Sequence, residues 1–211
     1  MIVYEDRQLL VCRKEPGLSC ETELVEKLKA ASGAETLYCV HRLDRETGGL
    51  MVFAKTDKAA ASLSAAFAER RVHKRYLAIV RGETPAGGEL RDLLYRDAAK
   101  NKSYVVKRMR RGVREAVLKY ERLAFANGLS LLSVTLGTGR SHQIRVQFAS
   151  RGFPLVGDKK YGSSDRDAPL ALWSAELRFK HPRTGEELAF TDTPPKVWPW
   201  TEVGIEMKNE S

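Results

Sequence analysis

The chain has 211 residues, enough to bury a substantial core in one domain, and its 43% hydrophobic and 30% charged residues are typical of a globular protein. It has no apolar run of about 18 residues and no basic leader followed by an apolar stretch, so we expect neither a membrane span nor a secretory signal. The net charge of +9 and a pI near 9.5 favour a polyanionic partner, because each phosphate neutralised by Lys or Arg releases counterions. We therefore expect a cytoplasmic protein that binds nucleic acid.

The N-terminal segment predicts strands followed by a helix. Residues 1–13 predict a strand or hairpin arm, which Pro16-Gly17 ends. Residues 21–33 predict a helix, with acidic residues in its first turn and a glycine at its end. Leu50–Ala54 is a short apolar run bounded by glycines and polar residues, which predicts a buried strand.

The next elements are a helix and a second buried strand. We expect Asp57 to cap an alanine-rich helix that reaches about Arg70, with Leu63 and Phe67 on its inner face. Residues 75–82 are rich in β-branched and aromatic side chains and predict a strand. Residues 83–90 predict a loop.

The C-terminal half adds a hairpin, a helix and two more strands. Asn127-Gly128 between two strand-like runs is a strong hairpin signal. Residues 141–152 predict a helix capped by Ser141 and ended by Gly152. Two strand arms then flank the turn at 182–185. Since strands are joined by both hairpins and helices, we expect one mixed α+β domain over residues 1–211.

One stretch holds most of the excess positive charge. Seven cations and no acid lie between Ala98 and Arg114, namely Lys100, Lys102, Lys107, Arg108, Arg110, Arg111 and Arg114. Such clustering favours a nucleic-acid contact over general solubility. The alternative is a solvated basic loop.

The segment HRLDRETGGL places Asp44 between Arg42 and Arg45 and next to the apolar Leu43. One interpretation is a solvated turn with surface ion pairs. The other is an ionised carboxylate that takes part in a reaction. If this carboxylate is partly buried, a nearby cation is needed to keep it ionised. Arg42, Arg45 and Arg145 are the candidate cations.

A second stretch, residues 136–162, carries His142 and Arg145 on one predicted helix face and Ile144 on an adjacent face. We expect this helix to present a cation to a pocket while its other face holds it to the core. His142 also permits a metal or general-base role. However, the four histidines lack ligand spacing and no nucleophile elbow is present, so we predict neither a metal site nor a Ser-His-Asp hydrolase.

Tyr76 begins a predicted strand after a run of basic residues, Arg70, Arg71, His73, Lys74 and Arg75. An aromatic ring beside phosphate-binding cations suits the stacking of an unpaired base. A strand residue with its hydroxyl at the surface is the other interpretation.

Several segments together resemble the RluA-type pseudouridine synthases. HRLDRETGGLMVFAKT is similar to the family signature H-R-L-D-x-x-T-S-G-L, and TGRSHQIRVQFASRGFPLVGDKKYG to its second long motif. VHKRYLAIVRG, RKEPGL and LALWSAELRFKHPRTGEELAF resemble further segments, so the similarity runs along nearly the whole chain. The resemblance implies a mixed, mostly antiparallel sheet with helices and loops around an RNA cleft.

The resemblance also implies a role for individual residues. Asp44 is the catalytic aspartate, Arg145 the arginine that pairs with it, and Tyr76 the aromatic residue that stacks on the target uracil. Arg42 enters the duplex where the base leaves, and Ile144 packs near the base. We further expect RNA contacts from Thr47, Arg140, His142, Lys74, Lys107, Arg108, Arg110 and Arg111.

The implied reaction isomerises uridine in ribosomal or transfer RNA to pseudouridine, after the target base is flipped out. It implies an RNA partner, no metal and no cofactor, and we expect a monomer. We also expect the chain to be the catalytic domain without an N-terminal accessory RNA-binding domain.

The chain departs from the family pattern in three places: Gly48 replaces the usual Ser, Glu15-Pro16 reverses the usual order, and Gln147 replaces a frequent His. Two rival functions remain, a binding module that keeps the fold without catalysing, and an RNA phosphodiesterase that uses His41 and His142. The first predicts loss of Asp44 or Arg145, and both are present.

Overall fold

The computed structural model describes residues 1–165 and 167–204, which form two compact units. The first unit contains Met1–Tyr76 and Trp173–Thr193, and the second contains Leu77–Leu172 and the chain from Pro194. The first unit is therefore interrupted in sequence by the second. A single domain over residues 1–211 stays a prediction.

The first unit pairs strands from both ends of the chain. Its elements are β1 (Ile2–Glu5), β2 (Leu9–Lys14), α1 (Glu23–Ser32), β3 (Tyr38–Cys39), β4 (Gly48–Ala54), α2 (Asp57–Ala68), the start of β5 (His73–Arg81), β10 (Leu172–Lys180) and β11 (Glu187–Thr191). Strands β1, β2, β4 and β10 are neighbours in that order, while β11 pairs with β10 and β3 with β4. The β1/β2, β2/β4 and β10/β11 pairs are antiparallel, and β4/β10 is parallel.

The core of the first unit lies between its strands and α2. All seven residues of β4 are buried, as expected for a strand covered on both faces. Leu50 and Val52 of β4 pack with Leu63 of α2, and Phe67 packs against the same cluster. The predicted inner face of α2 is therefore confirmed.

The second unit consists of antiparallel strand pairs and the short helix α3. It contains the rest of β5, β6 (Gly87–Asp97), β7 (Lys102–Val106), β8 (Val113–Ala126), β9 (Leu129–Leu136), α3 (Gln143–Ala149) and a 3-10 turn at Trp200–Val203. The strand order is β5, β9, β8, β6, β7, and the β8/β9, β6/β8 and β6/β7 pairs are antiparallel. The hairpin at Asn127-Gly128 is confirmed, with both residues at positive φ (52° and 72°).

The mixed sheet and the helices α1, α2 and α3 confirm the α+β class. No helix within the described part of the chain is long and apolar enough to cross a membrane.

Two expected helix caps were wrong. Thr56 is the N-cap of α2, and its hydroxyl accepts from the backbone N–H of Ala59, so Asp57 is the first helical residue. Ser141 does not cap α3, which runs only over Gln143–Ala149. The turn that precedes α3 is held by Gln143, whose Oε1 accepts a hydrogen bond from the Arg140 N–H at 3.0 Å.

The predicted loop at 83–90 was too long, because β6 begins at Gly87. Gly87 and Gly88 pair with Glu121 and Tyr120 of β8. A Cβ at Gly87 would lie 2.9 Å from the carbonyl oxygen of Tyr120. Gly87 therefore allows a close approach of two strands, although the glycine pair is typical of a loop in the sequence.

Candidate active site

Asp44 lies in the tight turn that precedes β4 in the first unit. Its carbonyl oxygen accepts from the Thr47 N–H at 3.0 Å, which closes a four-residue turn. Leu43 is buried and the Asp44 side chain is half-buried, so the expected partial burial of this carboxylate is confirmed. Residues 41–47 are called the Asp44 turn below.

The two arginines that flank Asp44 in sequence are bound to glutamates. Arg42 pairs with Glu21 at 3.2 Å, and Arg45 pairs with Glu23 at 2.9 Å. All four side chains are largely exposed, and such pairs contribute little to stability. The surface-ion-pair interpretation therefore describes Arg42 and Arg45.

Lys14 holds the Asp44 turn through hydrogen bonds to its backbone. Its side chain is fully buried, and Nζ donates to the carbonyl oxygens of Glu15 (3.0 Å), Arg45 (2.7 Å) and Thr47 (2.8 Å). Burial lowers the pKa of this ammonium group. A buried cation with three carbonyl acceptors fixes the backbone on both sides of Glu46.

Two thiols and an imidazole hold the start of the same turn. The thiols of Cys20 and Cys39 donate to the carbonyl oxygens of Leu43 (3.1 Å) and His41 (3.0 Å). The His41 Nε2 accepts from the Val52 N–H at 3.1 Å, so the ring is neutral with its proton on Nδ1. The His41 ring stacks on Phe67, with centroids 4.3 Å apart.

Burial and, to a lesser extent, the charge of Lys74 together lower the pKa of His41 to about 3. A neutral ring bonded to the backbone of β4 has a structural role. The thiols of Cys20 and Cys39 likewise hold the backbone of the turn in place.

Tyr76 lies near Asp44 within the first unit. Its side chain is only 5% exposed, so the interpretation with a surface hydroxyl was wrong. Burial raises the pKa of Tyr76 strongly, and the negative charge of Asp44 raises it further, so the phenol is protonated at neutral pH. The structure thus brings together the carboxylate and the aromatic ring that the sequence singled out.

Lys74, two residues before Tyr76, is half-buried. Its Nζ lies 5.5 Å from the centroid of the Phe67 ring, and burial lowers its pKa.

Arg145 belongs to the second unit and is held by a buried carboxylate. Its Nε and Nη2 donate to the two oxygens of Asp158 at 2.7 and 2.8 Å. Tyr161 packs against the guanidinium, with the ring centroid 5.3 Å from Cζ. The two-point contact fixes the plane of the guanidinium group.

Helix α3 is buried along nearly its whole length, and the expectation that it presents a cation to a pocket stays a prediction. Gln143, Ile144, Val146 and Phe148 are buried along with Arg145. Its polar residues find partners inside the unit, which makes full burial tolerable. Gln147 Nε2, for example, donates to Asp92 at 2.8 Å.

His142 precedes α3 in a left-handed conformation, with φ of 55°. Its Nδ1 lies 2.9 Å from the Tyr161 hydroxyl, which also accepts from the Ser103 N–H at 2.8 Å. Arg140 is exposed, and its Nε donates to the Glu115 carbonyl at 3.0 Å.

The basic stretch occupies β7 and the turn that connects it to β8. Lys107, Arg108, Arg110 and Arg111 are all exposed in this turn, with Met109 among them at 63% exposure. Arg110 lies over the Tyr95 ring at 5.1 Å. No acidic residue faces these four cations within an ion-pair distance in the described part of the chain.

Three residues with positioning roles were missed by the sequence analysis. Lys14, Asp158 and Tyr161 all lie in segments that resemble the family, but nothing in the sequence shows which partner each one meets. Lys14 ends an apolar strand-like run next to another basic residue, which gives no sign of its burial. No group of three or more His, Cys, Asp or Glu side chains that could hold a metal occurs in residues 1–165 and 167–204.

Comparisons with known proteins agree on one family. Residues 6–150 match the family model described as RNA pseudouridylate synthase. The chain is 36% identical to ribosomal large subunit pseudouridine synthase D of Zymomonas mobilis, over 90% of this chain and 67% of that protein. It is 31% identical to ribosomal large subunit pseudouridine synthase C of Buchnera aphidicola, over 89% of this chain and 65% of that protein. The chain thus spans about two thirds of the length of these relatives.

Two solved structures have the same fold. Human RNA pseudouridylate synthase domain containing 4 has a TM-score of 0.78 at 27% identity, and covers 92% of this chain with 88% of its own. Human RNA pseudouridylate synthase domain containing 1 has a TM-score of 0.80 at 26% identity, over 93% and 84%. With the family model and the relatives, these matches identify the chain as an RluA-type member of the RNA pseudouridylate synthase family, whose members are isomerases.

Proposed function

We propose that this chain converts specific uridines of ribosomal or transfer RNA to pseudouridine, with Asp44 as the catalytic carboxylate. The observation that carries the proposal is the half-buried Asp44 in a turn held by Lys14, Cys20 and Cys39, next to the buried ring of Tyr76. Asp44 so placed can act on a flipped nucleotide without moving its own backbone.

In the reaction the bond between N1 of uracil and C1′ of ribose breaks, and a bond between C5 and C1′ forms. The proton on C5 leaves and N1 gains one, so the overall composition of the RNA is unchanged. Flipping the uridine costs a few kcal/mol, which contacts with the extruded base must offset.

We assign supporting roles to other residues from the resemblance. Tyr76 stacks on the uracil, Ile144 packs near it, and Arg42 enters the space that the base leaves. Arg145 stabilises the ionised form of Asp44, and two hydrogen bonds to Asp158 fix the Arg145 side chain for that role. Thr47, Lys74, Arg140, His142 and the four cations of the β7–β8 turn are proposed to contact the RNA.

The remaining proposals concern context. We propose that the protein acts in the cytoplasm as a monomer, and that the single catalytic domain comprises residues 1–211. Its relatives named for the large ribosomal subunit make ribosomal RNA the first substrate to test.

The decisive experiment compares wild-type protein with Asp44→Asn on RNA transcripts carrying tritium at C5 of uridine. Large-subunit ribosomal RNA and transfer RNA transcripts are tested separately, and tritium release reports loss of the C5 hydrogen. We expect release by the wild type, loss of release in Asp44→Asn, and nearly unchanged RNA binding in that variant, because the fold and the cations remain.

Asp57→Asn is the matched control, since Asp57 is an exposed carboxylate in the same unit. Wild-type turnover by Asp44→Asn would reject Asp44 as the catalytic residue.

A further inference from the structure

Gly48 joins the Asp44 turn to β4, directly beneath an indole ring. Gly48 is the pairing partner of Trp173 in the parallel contact between β4 and β10. A Cβ at Gly48 would lie 2.2 Å from Cζ3 and 2.6 Å from Cε3 of that ring. Both distances are far below any carbon–carbon contact, so no side chain fits at position 48 while the ring stays in place.

The ring of Trp173 is itself fixed. It is 5% exposed, and its Nε1 donates to Oδ2 of the buried Asp192 at 3.1 Å. Arg13 donates to both oxygens of the same carboxylate, with Nε at 2.9 Å from Oδ2. Moving the indole would therefore break a buried hydrogen bond to a charged acceptor.

The position of Gly48 is transmitted to Asp44 through one residue. Thr47 precedes Gly48 and donates its N–H to the Asp44 carbonyl oxygen. The Thr47 carbonyl oxygen accepts a hydrogen bond from the Lys14 ammonium group. A shift of Gly48 away from the ring must therefore distort this turn. The neighbouring Gly49 cannot move to accommodate such a shift, because its backbone packs against Ser174, whose carbonyl oxygen would lie 2.3 Å from a Cβ at position 49.

We propose that Trp173 is a positioning residue for Asp44, and that positions 48 and 173 form a complementary pair which must change together. The indole occupies the space that the usual Ser of the family motif would need at position 48. The inference rests on the proposed function, since it assumes that Asp44 is catalytic.

The test is a double-mutant cycle on tritium release from the RNA transcript that the wild type uses. Gly48→Ala is expected to lower kcat by about 100-fold, the loss typical of a misplacement of about 1 Å, with little change in KM. Trp173→Leu is expected to retain more activity than Gly48→Ala, because removing the ring leaves the turn unobstructed. The double variant Gly48→Ala/Trp173→Leu is expected to recover kcat to about the level of Trp173→Leu alone.

Gly88→Ala is the matched control, because the nearest atom to its added Cβ is 3.5 Å away on the Tyr120 ring. Its kcat is expected to equal that of the wild type. Folding of every variant is checked by its urea midpoint. If Gly48→Ala is unfolded under assay conditions, recovery of both the urea midpoint and kcat in the double variant tests the same contact.

The outcomes separate the two proposals. A wild-type protein that releases no tritium from either RNA contradicts the proposed function. An active wild type whose Gly48→Ala variant keeps full kcat, or whose double variant is no better than Gly48→Ala, contradicts the pairing of positions 48 and 173.

Discussion

Lys14 carries a positive charge into the interior of the first unit, where three backbone carbonyls receive it. Two of those carbonyls belong to residues of the Asp44 turn, which lie more than 30 positions away in sequence. The lysine thus links β2 to the proposed catalytic turn.

Replacing Lys14 with Met keeps much of the side-chain volume and removes the ammonium group. We expect Lys14→Met to lower the free energy of unfolding by about 2–4 kcal/mol, because buried carbonyls lose a charged donor. Urea unfolding measures the change. Lys27→Met, at an exposed position of α1, should change it by less than about 0.5 kcal/mol, and an equal effect of the two variants would contradict the role of Lys14.

His41 predicts a pH dependence of stability. Its folded pKa of about 3 lies below the ordinary value of 6.5, so the unfolded chain takes up the proton first. Stability contributed at neutral pH is therefore lost as pH falls below 6.5. At about pH 5.5 the loss from this one group is about 1.4 kcal/mol relative to neutral pH.

The measurement is urea unfolding at neutral pH and one unit below the ordinary pKa, for the wild type and His41→Gln. Gln can still accept from the Val52 N–H but does not titrate. The wild type should lose more stability between the two conditions than the variant, and equal losses would show that His41 is protonated in the folded protein.

At the residue level the sequence identified Asp44 from its apolar neighbour and flanking arginines, Tyr76 from the basic run before it, and Arg145 from its place on a predicted helix face. The sequence did not identify Asp158 as the partner of Arg145, or Asp192 as the partner of Trp173. Those contacts, Arg145 with Asp158 and Trp173 with Asp192, depend on where loops and strands return in three dimensions. The periodicity of apolar residues carries no information about such long-range contacts.

At the level of elements, α2 shows how a small local bond decides where a helix begins. The Thr56 hydroxyl accepts from the Ala59 N–H, and Asp57 follows inside the first turn. Both residue types are good caps, so composition alone did not choose between them.

Thr56→Ala should lower the free energy of unfolding by about 1 kcal/mol, because an N–H of the first turn loses its acceptor. Asp57→Ala should cost only about 0.3–0.5 kcal/mol, the value of a favourable charge near the helix dipole. Thermal and urea unfolding of both variants test the order, and a larger loss in Asp57→Ala would make Asp57 the cap.

The strands and helices were largely predictable because their apolar periodicity is strong, as in β4 and α1. The errors occurred at β6 and at the start of α3, where tertiary contacts override the local pattern. Two glycines in β6 indicate a loop until their close contact with β8 is known. Helix α3 is buried along nearly its whole length because Gln147 and Arg145 meet polar partners within the second unit.

At the level of the whole molecule, the positive charge is unevenly distributed. The β7–β8 turn presents Lys107, Arg108, Arg110 and Arg111 to solvent, whereas many cations of the first unit, such as Arg42 and Arg45, are paired with acids. Exposed cations without acidic neighbours are the ones that neutralise phosphates most effectively.

Changing Arg108, Arg110 and Arg111 together to Gln should weaken binding to a fluorescent RNA transcript. The slope of log affinity against log salt should become less steep by up to about 2.7, if each arginine neutralises one phosphate. The control changes Lys27, Lys58 and Lys180 to Gln, which removes the same net charge from exposed sites of the first unit. Equal slopes for the two triple variants would make the β7–β8 turn an ordinary solvated loop.

The discontinuity of the first unit has a consequence for synthesis on the ribosome. Asp44 and its turn emerge early, but the indole that packs on Gly48 and the carboxylate that holds it lie at 173 and 192. The buried strand β4 can pair with β2 early, but it lacks its β10 neighbour until most of the polypeptide has been translated. Vectorial synthesis therefore delivers Leu77–Leu172 of the second unit before the last two strands of the first unit.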